Sequence, residues 1–184
     1  TDAQRYKWIE YHKWTFKGSL FTPIIGDLVL MTRAQFGYLG YYNRNLGYSP
    51  FEGFIVGGDG MSGYYTYGSE MIGLRGYPNN SLTPRKDNGY MGNVYDKFTV
   101  ELRYPLVLQP QSTIYALIFL EGGNSWADIK DFNPFQIKRS AGVGVRVLLP
   151  IVGMLGIDWA YGFDPVQDKA KGGSQFHFVI GQQF

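Results

Sequence analysis

The residues able to do chemistry in this chain are few and scattered. There are no cysteines and only two histidines, His12 and His177, so a disulfide framework and thiolate metal sites are excluded. The histidines stand near opposite ends of the sequence, which favours a lining or interface role for each over a shared metal ion. Ser19 and Ser62 have no histidine–acid constellation near them, and two histidines give little material for a triad. Gly57-Gly58-Asp59-Gly60 has the glycine density of a phosphate cradle, but no Lys-Ser/Thr follows, and a flexible loop is expected instead. Asp158 and Asp164 read as solvated. No catalytic residue, metal or cofactor is therefore expected, and what remains is charge recognition. Arg75 lies in Leu74-Arg75-Gly76-Tyr77-Pro78, and Glu101 and Glu121 lie further along the chain. A guanidinium withdrawn from bulk water needs acceptors, and carboxylate forks suit it best. On residue types alone, a solvated loop arginine with glutamates lining water satisfies this pattern better, because a lone loop motif is a weak signal.

The elements that would position these groups show themselves by alternation. In Lys97–Leu106, Phe98, Val100, Leu102, Tyr104 and Leu106 share a face opposite Lys97, Thr99, Glu101 and Arg103. In Arg139–Leu149, Ala141, Val143, Val145, Val147 and Leu149 oppose Ser140, Gly142, Gly144 and Arg146. Leu155–Phe163 sets Leu155, Ile157, Trp159, Tyr161 and Phe163 against Gly156, Asp158, Ala160 and Gly162. Lys13–Leu20 and Leu28–Tyr38 behave alike, with Met31 an exception on the polar side of the second. Thr113–Glu121 is weaker, with Phe119 and Glu121 on the polar phase. In Gln175–Phe184, Phe176, Phe178, Ile180 and Phe184 share a face, and Gly181 interrupts the pattern. Seven strands are predicted, each about the 9–11 residues that cross a bilayer when tilted. Charges on one face of such strands are expensive in a dry core and reasonable against a wet lumen.

The connectors alternate in length. They are Pro23–Asp27, Asn43–Asn93, Gln109–Ser112, Asp128–Gln136, Pro150–Gly153 and Asp164–Gly173. Short periplasmic turns and long extracellular loops are the habit of membrane barrels, and a Greek-key sandwich gives no such alternation. Pro23, Pro110 and Pro150 read as turn markers, which would put the C-terminus on the periplasmic side. Aromatic residues make up 17% of the chain and glycines number 25 of 184, which suits an all-β protein with aromatic girdles and tight turns. No apolar run approaches the roughly 18 residues of a membrane helix. The net charge of +2, without a basic run or face, gives nothing that would attract nucleic acid. Seven strands alone would leave two edges open in lipid, which is costly. The sequence therefore reads as residues 1–184 of a transmembrane β-barrel domain with a long extracellular loop at 43–93, the remaining strands preceding Thr1. The start at Thr1-Asp2-Ala3, without Met, reads as processed or truncated.

The long connector carries the most specific residues. Gly57-Gly58 followed by Leu74-Arg75-Gly76-Tyr77 resembles the Val-Arg-Gly-Phe/Tyr loop motif of the BamA family, the outer-membrane β-barrel assembly insertases. The resemblance runs on through Val100-Glu101-Leu102, Phe119-Leu120-Glu121-Gly122-Gly123, Ser140–Gly144 and Phe176–Phe184. It implies the last seven strands of a sixteen-stranded barrel. Leu74 stands where Val is usual, Glu121 where Asp is common, and residues 59–73 are longer and richer in Gly and Tyr than the family pattern. TamA-like relatives and two-partner secretion pores share the loop motif, so it marks the superfamily better than the member.

From the resemblance comes a role for each motif residue. Arg75 would be anchored in the lumen by Glu101, Glu121 and Phe119, with Gly76 allowing close backbone approach. It implies insertion and assembly of β-barrel proteins at a lateral seam that includes Phe176, Phe178, Ile180, Gly181 and Phe184. The partners implied are the outer-membrane bilayer, unfolded barrel clients and accessory subunits of an assembly complex. A secretion pore or TamA-like translocation relative is the alternative within the superfamily. An outer-membrane barrel enzyme is the alternative from another class. Phe184, an aromatic terminal residue, marks barrel membership and says little about function.

Overall fold

A computed structural model describes residues 9–61, 68–86, 89–109, 111–150, 153–166, 169 and 171–181. Among them, seven long strands form one antiparallel meander: β1 (Tyr11–Ile25), β2 (Leu28–Tyr41), β7 (Val94–Gln109), β8 (Ser112–Trp126), β9 (Lys138–Leu149), β10 (Gly153–Gly162) and β11 (Gly173–Ile180), side by side in that order. Phe184, Pro110 and Ser62 lie outside the described residues. The remaining pairs belong to the long connector: β3 (Glu52–Val56) runs parallel to β4 (Gly68–Ile72), and β5 (Arg85–Lys86) pairs with β6 (Gly89–Tyr90). No helix among the described residues is long and apolar enough to cross a membrane.

The alternation reads directly onto the two faces of the sheet. Phe16, Leu20, Phe98, Tyr104, Ile118, Leu120, Val143, Ile157, Phe176 and Phe178 are exposed on one face. Thr99, Glu101, Glu121, Arg146, Asp158 and His177 are buried on the other. A sheet that exposes its large apolar side chains and buries its charges is inverted with respect to a water-soluble protein. It is the arrangement of a barrel wall between lipid and a polar lumen. Met31, the apolar residue on the polar phase of β2, is 1% exposed and pairs in register with Glu101.

The turn at the first hairpin differs from the sequence reading. Pro23 sits inside β1, beside a register shift between Pro23 and Ile25, and the turn is Gly26–Asp27. A proline has no N–H for the ladder, so it is tolerated where pairing slips. Pro105 in β7 likewise sits at a register shift. The long strands also outrun their expected ends, most clearly at β7 and β8, which run to 16 and 15 residues.

The 43–93 connector is a folded insert lying over one rim. Phe54, Val56, Leu74, Tyr77 and Leu82 from the insert pack with Leu39, Tyr95 and Val166 from the wall and a neighbouring loop. Gly57-Gly58, expected to be a flexible loop, is buried and ordered. Both glycines have positive φ, 124° and 76°, a region open to glycine. Gly57 N–H donates to the Ile72 carbonyl at 2.9 Å, and Gly58 forms an isolated bridge with Leu74. A Cβ on Gly57 would meet the Pro78 carbonyl oxygen at 2.7 Å. The glycine pair thus sets the backbone of the Leu74–Pro78 segment instead of loosening it.

Candidate functional site

The floor of the site is the lumen face of β7 to β10. Glu101 on β7 stands directly opposite Phe119 on β8, and Thr99 opposite Glu121. On β9 the lumen-facing positions beyond Arg146 are Ser140, Gly142 and Gly144, paired with Glu121, Phe119 and Leu117 on one side and with Gly162, Ala160 and Asp158 on the other. Three successive lumen positions with almost no side chain leave a trough. A Cβ on Gly142 would strike the Phe119 ring, and one on Gly144 would strike the Asp158 carboxylate. Groups on β8 and β10, roughly 9–10 Å apart across two strand spacings, can therefore meet over β9.

Arg75 descends from the insert into this trough. Its Nη2 donates to Glu101 Oε1 at 2.6 Å and to Glu121 Oε1 at 2.8 Å, and its Nη1 donates to Asp158 Oδ2 at 3.0 Å. Its own backbone N–H donates to Glu121 Oε2 at 2.9 Å. The guanidinium carbon lies 3.4 Å from the centroid of the Phe119 ring, which favours the cation by its π-face. Burial alone would disfavour the charge on Arg75; the Glu121 and Glu101 carboxylates outweigh it and hold the guanidinium above its ordinary range.

Each carboxylate has a second cation. Lys97 Nζ lies 3.1 Å from Glu121 Oε1 and also donates to the Gly73 carbonyl at 2.6 Å. Arg103 Nη2 lies 2.7 Å from Glu101 Oε2. Arg146 grips Asp158 with two bonds of 2.6 Å. The sequence reading brings Arg75, Glu101, Glu121 and Phe119 to one place. Asp158 corrects it: expected to be solvated, this residue is fully buried and shared between two arginines. The sequence does carry a signal for it, the run of Ser140, Gly142 and Gly144 that empties the lumen face of β9.

The next two motif residues reach further round the wall. Gly76 has φ +88°, and a Cβ there would lie 2.9 Å from both Gly162 N and Ser140 Cβ, so a side chain is excluded by conformation and by space. Its N–H donates to His177 Nε2 on β11 at 2.9 Å. Tyr77 is fully buried; its hydroxyl donates to the Arg139 carbonyl at 2.7 Å and accepts from the Asp164 N–H at 3.3 Å. Burial pushes the Tyr77 phenol up to about 12, so it stays a donor at neutral pH. Asp164, also expected to be solvated, is bound by Arg139 through two side-chain bonds and a backbone N–H. Replacing Tyr77 by Phe should cost about 1 kcal/mol, read as a lower thermal midpoint, and should make residues 163–172 easier to cleave by protease. Leu74, fully buried in the insert core, takes no part in the ionic network.

The expected seam residues lie apart from this network, on and just after β11. Phe176, Phe178 and Ile180 point out on the exposed apolar face of β11. Gly181 follows the last ladder pair, with φ +92°. Its N–H still donates to the Met154 carbonyl at 2.9 Å. His12 stands on β1, its ring edge-on to Tyr38 and Tyr42. No cluster of His, Cys, Asp and Glu suited to a metal ion occurs among the described residues.

The family model of the Omp85 superfamily domain matches residues 1–184. Among solved structures, the crystal structure of BamA from Haemophilus ducreyi lacking POTRA domains 1-3 is similar in fold, with a TM-score of 0.61 at 18% identity. The match covers 92% of this chain and 35% of that one, so this chain spans about a third of the length of that structure. No curated protein matches the sequence.

Proposed function

Because the chain belongs to the Omp85 superfamily, we propose that it forms the last seven strands of a larger outer-membrane barrel that inserts and assembles other β-barrel proteins. The insert would lie at the extracellular rim and the C-terminus at the periplasmic one. Clients would be unfolded outer-membrane proteins, met in the bilayer with the help of accessory subunits.

One observation carries this reading. Three consecutive loop residues engage five consecutive strands: Arg75 holds β7, β8 and β10, Gly76 holds β11, and Tyr77 holds β9. A wall tied together from inside can stay intact while one end opens. Among the described residues, β11 has the shortest ladder of the wall: β10–β11 pairs over eight positions, against fifteen for β7–β8. An edge strand offers unpaired N–H and C=O groups, which template an incoming strand by β-augmentation. No acid, base or cofactor is needed for that task; lowering the barrier to strand entry is enough. The same loop would equally serve as the plug of a secretion pore, since it covers the lumen face of the wall.

The test uses the full-length protein in liposomes with a urea-unfolded barrel client. Client folding, followed by the gel shift between heated and unheated samples, should be accelerated at least several-fold over empty liposomes. Unchanged client folding together with a steady ion conductance would favour the pore.

A further inference from the structure

The contact between Gly76 and His177 differs in kind from the ties made by Arg75. Arg75 holds its strands with charge, whereas Gly76 holds β11 with one bond from an amide N–H to an imidazole nitrogen. An amide is a permanent donor. The ring nitrogen facing it must therefore carry a lone pair, which places the proton of a neutral imidazole on Nδ1. A protonated ring has an N–H at both nitrogens and would set donor against donor.

The surroundings sharpen the choice. His177 is 4% exposed and stands directly opposite Asp158 on β10. The charged groups facing it are Asp158 from β10, Glu121 from β8, and Asp59 and Arg75 from the insert. Arg146 on β9 already grips Asp158. The ties of Arg75 to β7, β8 and β10 need nothing from His177.

We propose that His177 is a positioning residue that holds β11 to the loop motif only while its imidazole is neutral, so that protonation unties β11 from the loop and leaves the β7–β10 wall locked. The functional consequence rests on the reading of β11 as the seam strand; the latch itself does not. Its sign is fixed by the geometry: the tie is present at higher pH and lost as pH falls through the titration of His177.

Hydrogen exchange of the 173–181 segment, in the full-length protein in liposomes without client, tests the latch. After correction for intrinsic rates, wild-type protection should fall roughly fivefold, the worth of one neutral hydrogen bond, on going from neutral to acidic pH. Protection in 94–126 should not move. His177→Gln keeps a carbonyl acceptor that does not titrate, and should keep high protection at every pH. His177→Leu has no acceptor and should show low protection at every pH. A flat wild-type profile, or a pH dependence that survives in His177→Gln, overturns the proposal. His12, the other histidine, lies on β1 and is unchanged in both variants. If exchange follows this pattern but client folding does not change with pH, the latch stands and the seam reading falls.

Discussion

Arg75→Ala is expected to undock the insert from the wall, each charge-assisted hydrogen bond lost contributing about 1.5–3 kcal/mol to docking. Limited proteolysis should register it as rapid cleavage within residues 57–92, and the thermal midpoint should drop. The wall itself should survive. Each carboxylate that loses Arg75 retains a cation: Glu121 keeps Lys97, Glu101 keeps Arg103 and Asp158 keeps Arg146. The loss therefore falls on the loop, which without Arg75 keeps Lys97 to Gly73, the Gly76 and Tyr77 bonds and an apolar core. Arg75→Lys should rescue little, because one ammonium cannot reach carboxylates on three strands and stack on Phe119. A double mutant cycle with Glu121→Gln separates a lock from a coincidence. Groups this close should show an interaction energy of about 1–3 kcal/mol; strict additivity of the two losses would falsify the lock.

Much of this arrangement was legible from residue order, and the parts that were not have physical reasons. Period-two alternation placed Glu101, Phe119 and Glu121 on one face, because a strand leaves a side chain only two directions. It also placed Asp158 there. It could not say that Asp158 meets an arginine 83 residues away, since that meeting depends on the trough over β9. Strand ends are hidden from the sequence where a second layer covers the sheet. Val94, Tyr95 and Asp96 are all buried, and Phe132 packs on Phe36 and Trp126 across the outer side. With both faces covered, the apolar–polar alternation that marks a strand disappears. Glycine density in Gly57-Gly58 suggested mobility, yet the conformational freedom of glycine there allows one fixed path. Phe184 lies outside the described residues, so the loop motif and not that terminus joins sequence to mechanism.

Asp158→Ala should destabilise the wall more than Arg75→Ala does, although Asp158 lies outside the loop motif. Removing this carboxylate leaves Arg75, Lys97, Arg103 and Arg146 with only Glu101 and Glu121 among the network's acids. Arg146, 6% exposed, loses the carboxylate that holds it and retains a single bond to the Val145 carbonyl at 3.2 Å. An uncompensated buried charge of this kind costs about 3–5 kcal/mol, and the loss of the β10 anchor of Arg75 adds to it. Denaturant unfolding in detergent micelles should place the variant well below wild type. Asp158→Asn retains the shape and one acceptor oxygen, and should recover a minor part, since the missing quantity is charge. Arg146→Met in the Asp158→Ala background should restore most of the stability by removing the stranded cation, and should leave the insert more protease-sensitive than in wild type because β10 is still untied. If Asp158→Ala unfolds within about 0.5 kcal/mol of wild type, the margin expected of an unremarkable surface change, then Arg146 finds its compensation elsewhere. The network would then be centred on β7 and β8 alone. The two variants thus divide the network by what each end holds: Arg75 fixes the loop to the wall, and Asp158 keeps β9 and β10 in electrostatic register beneath it.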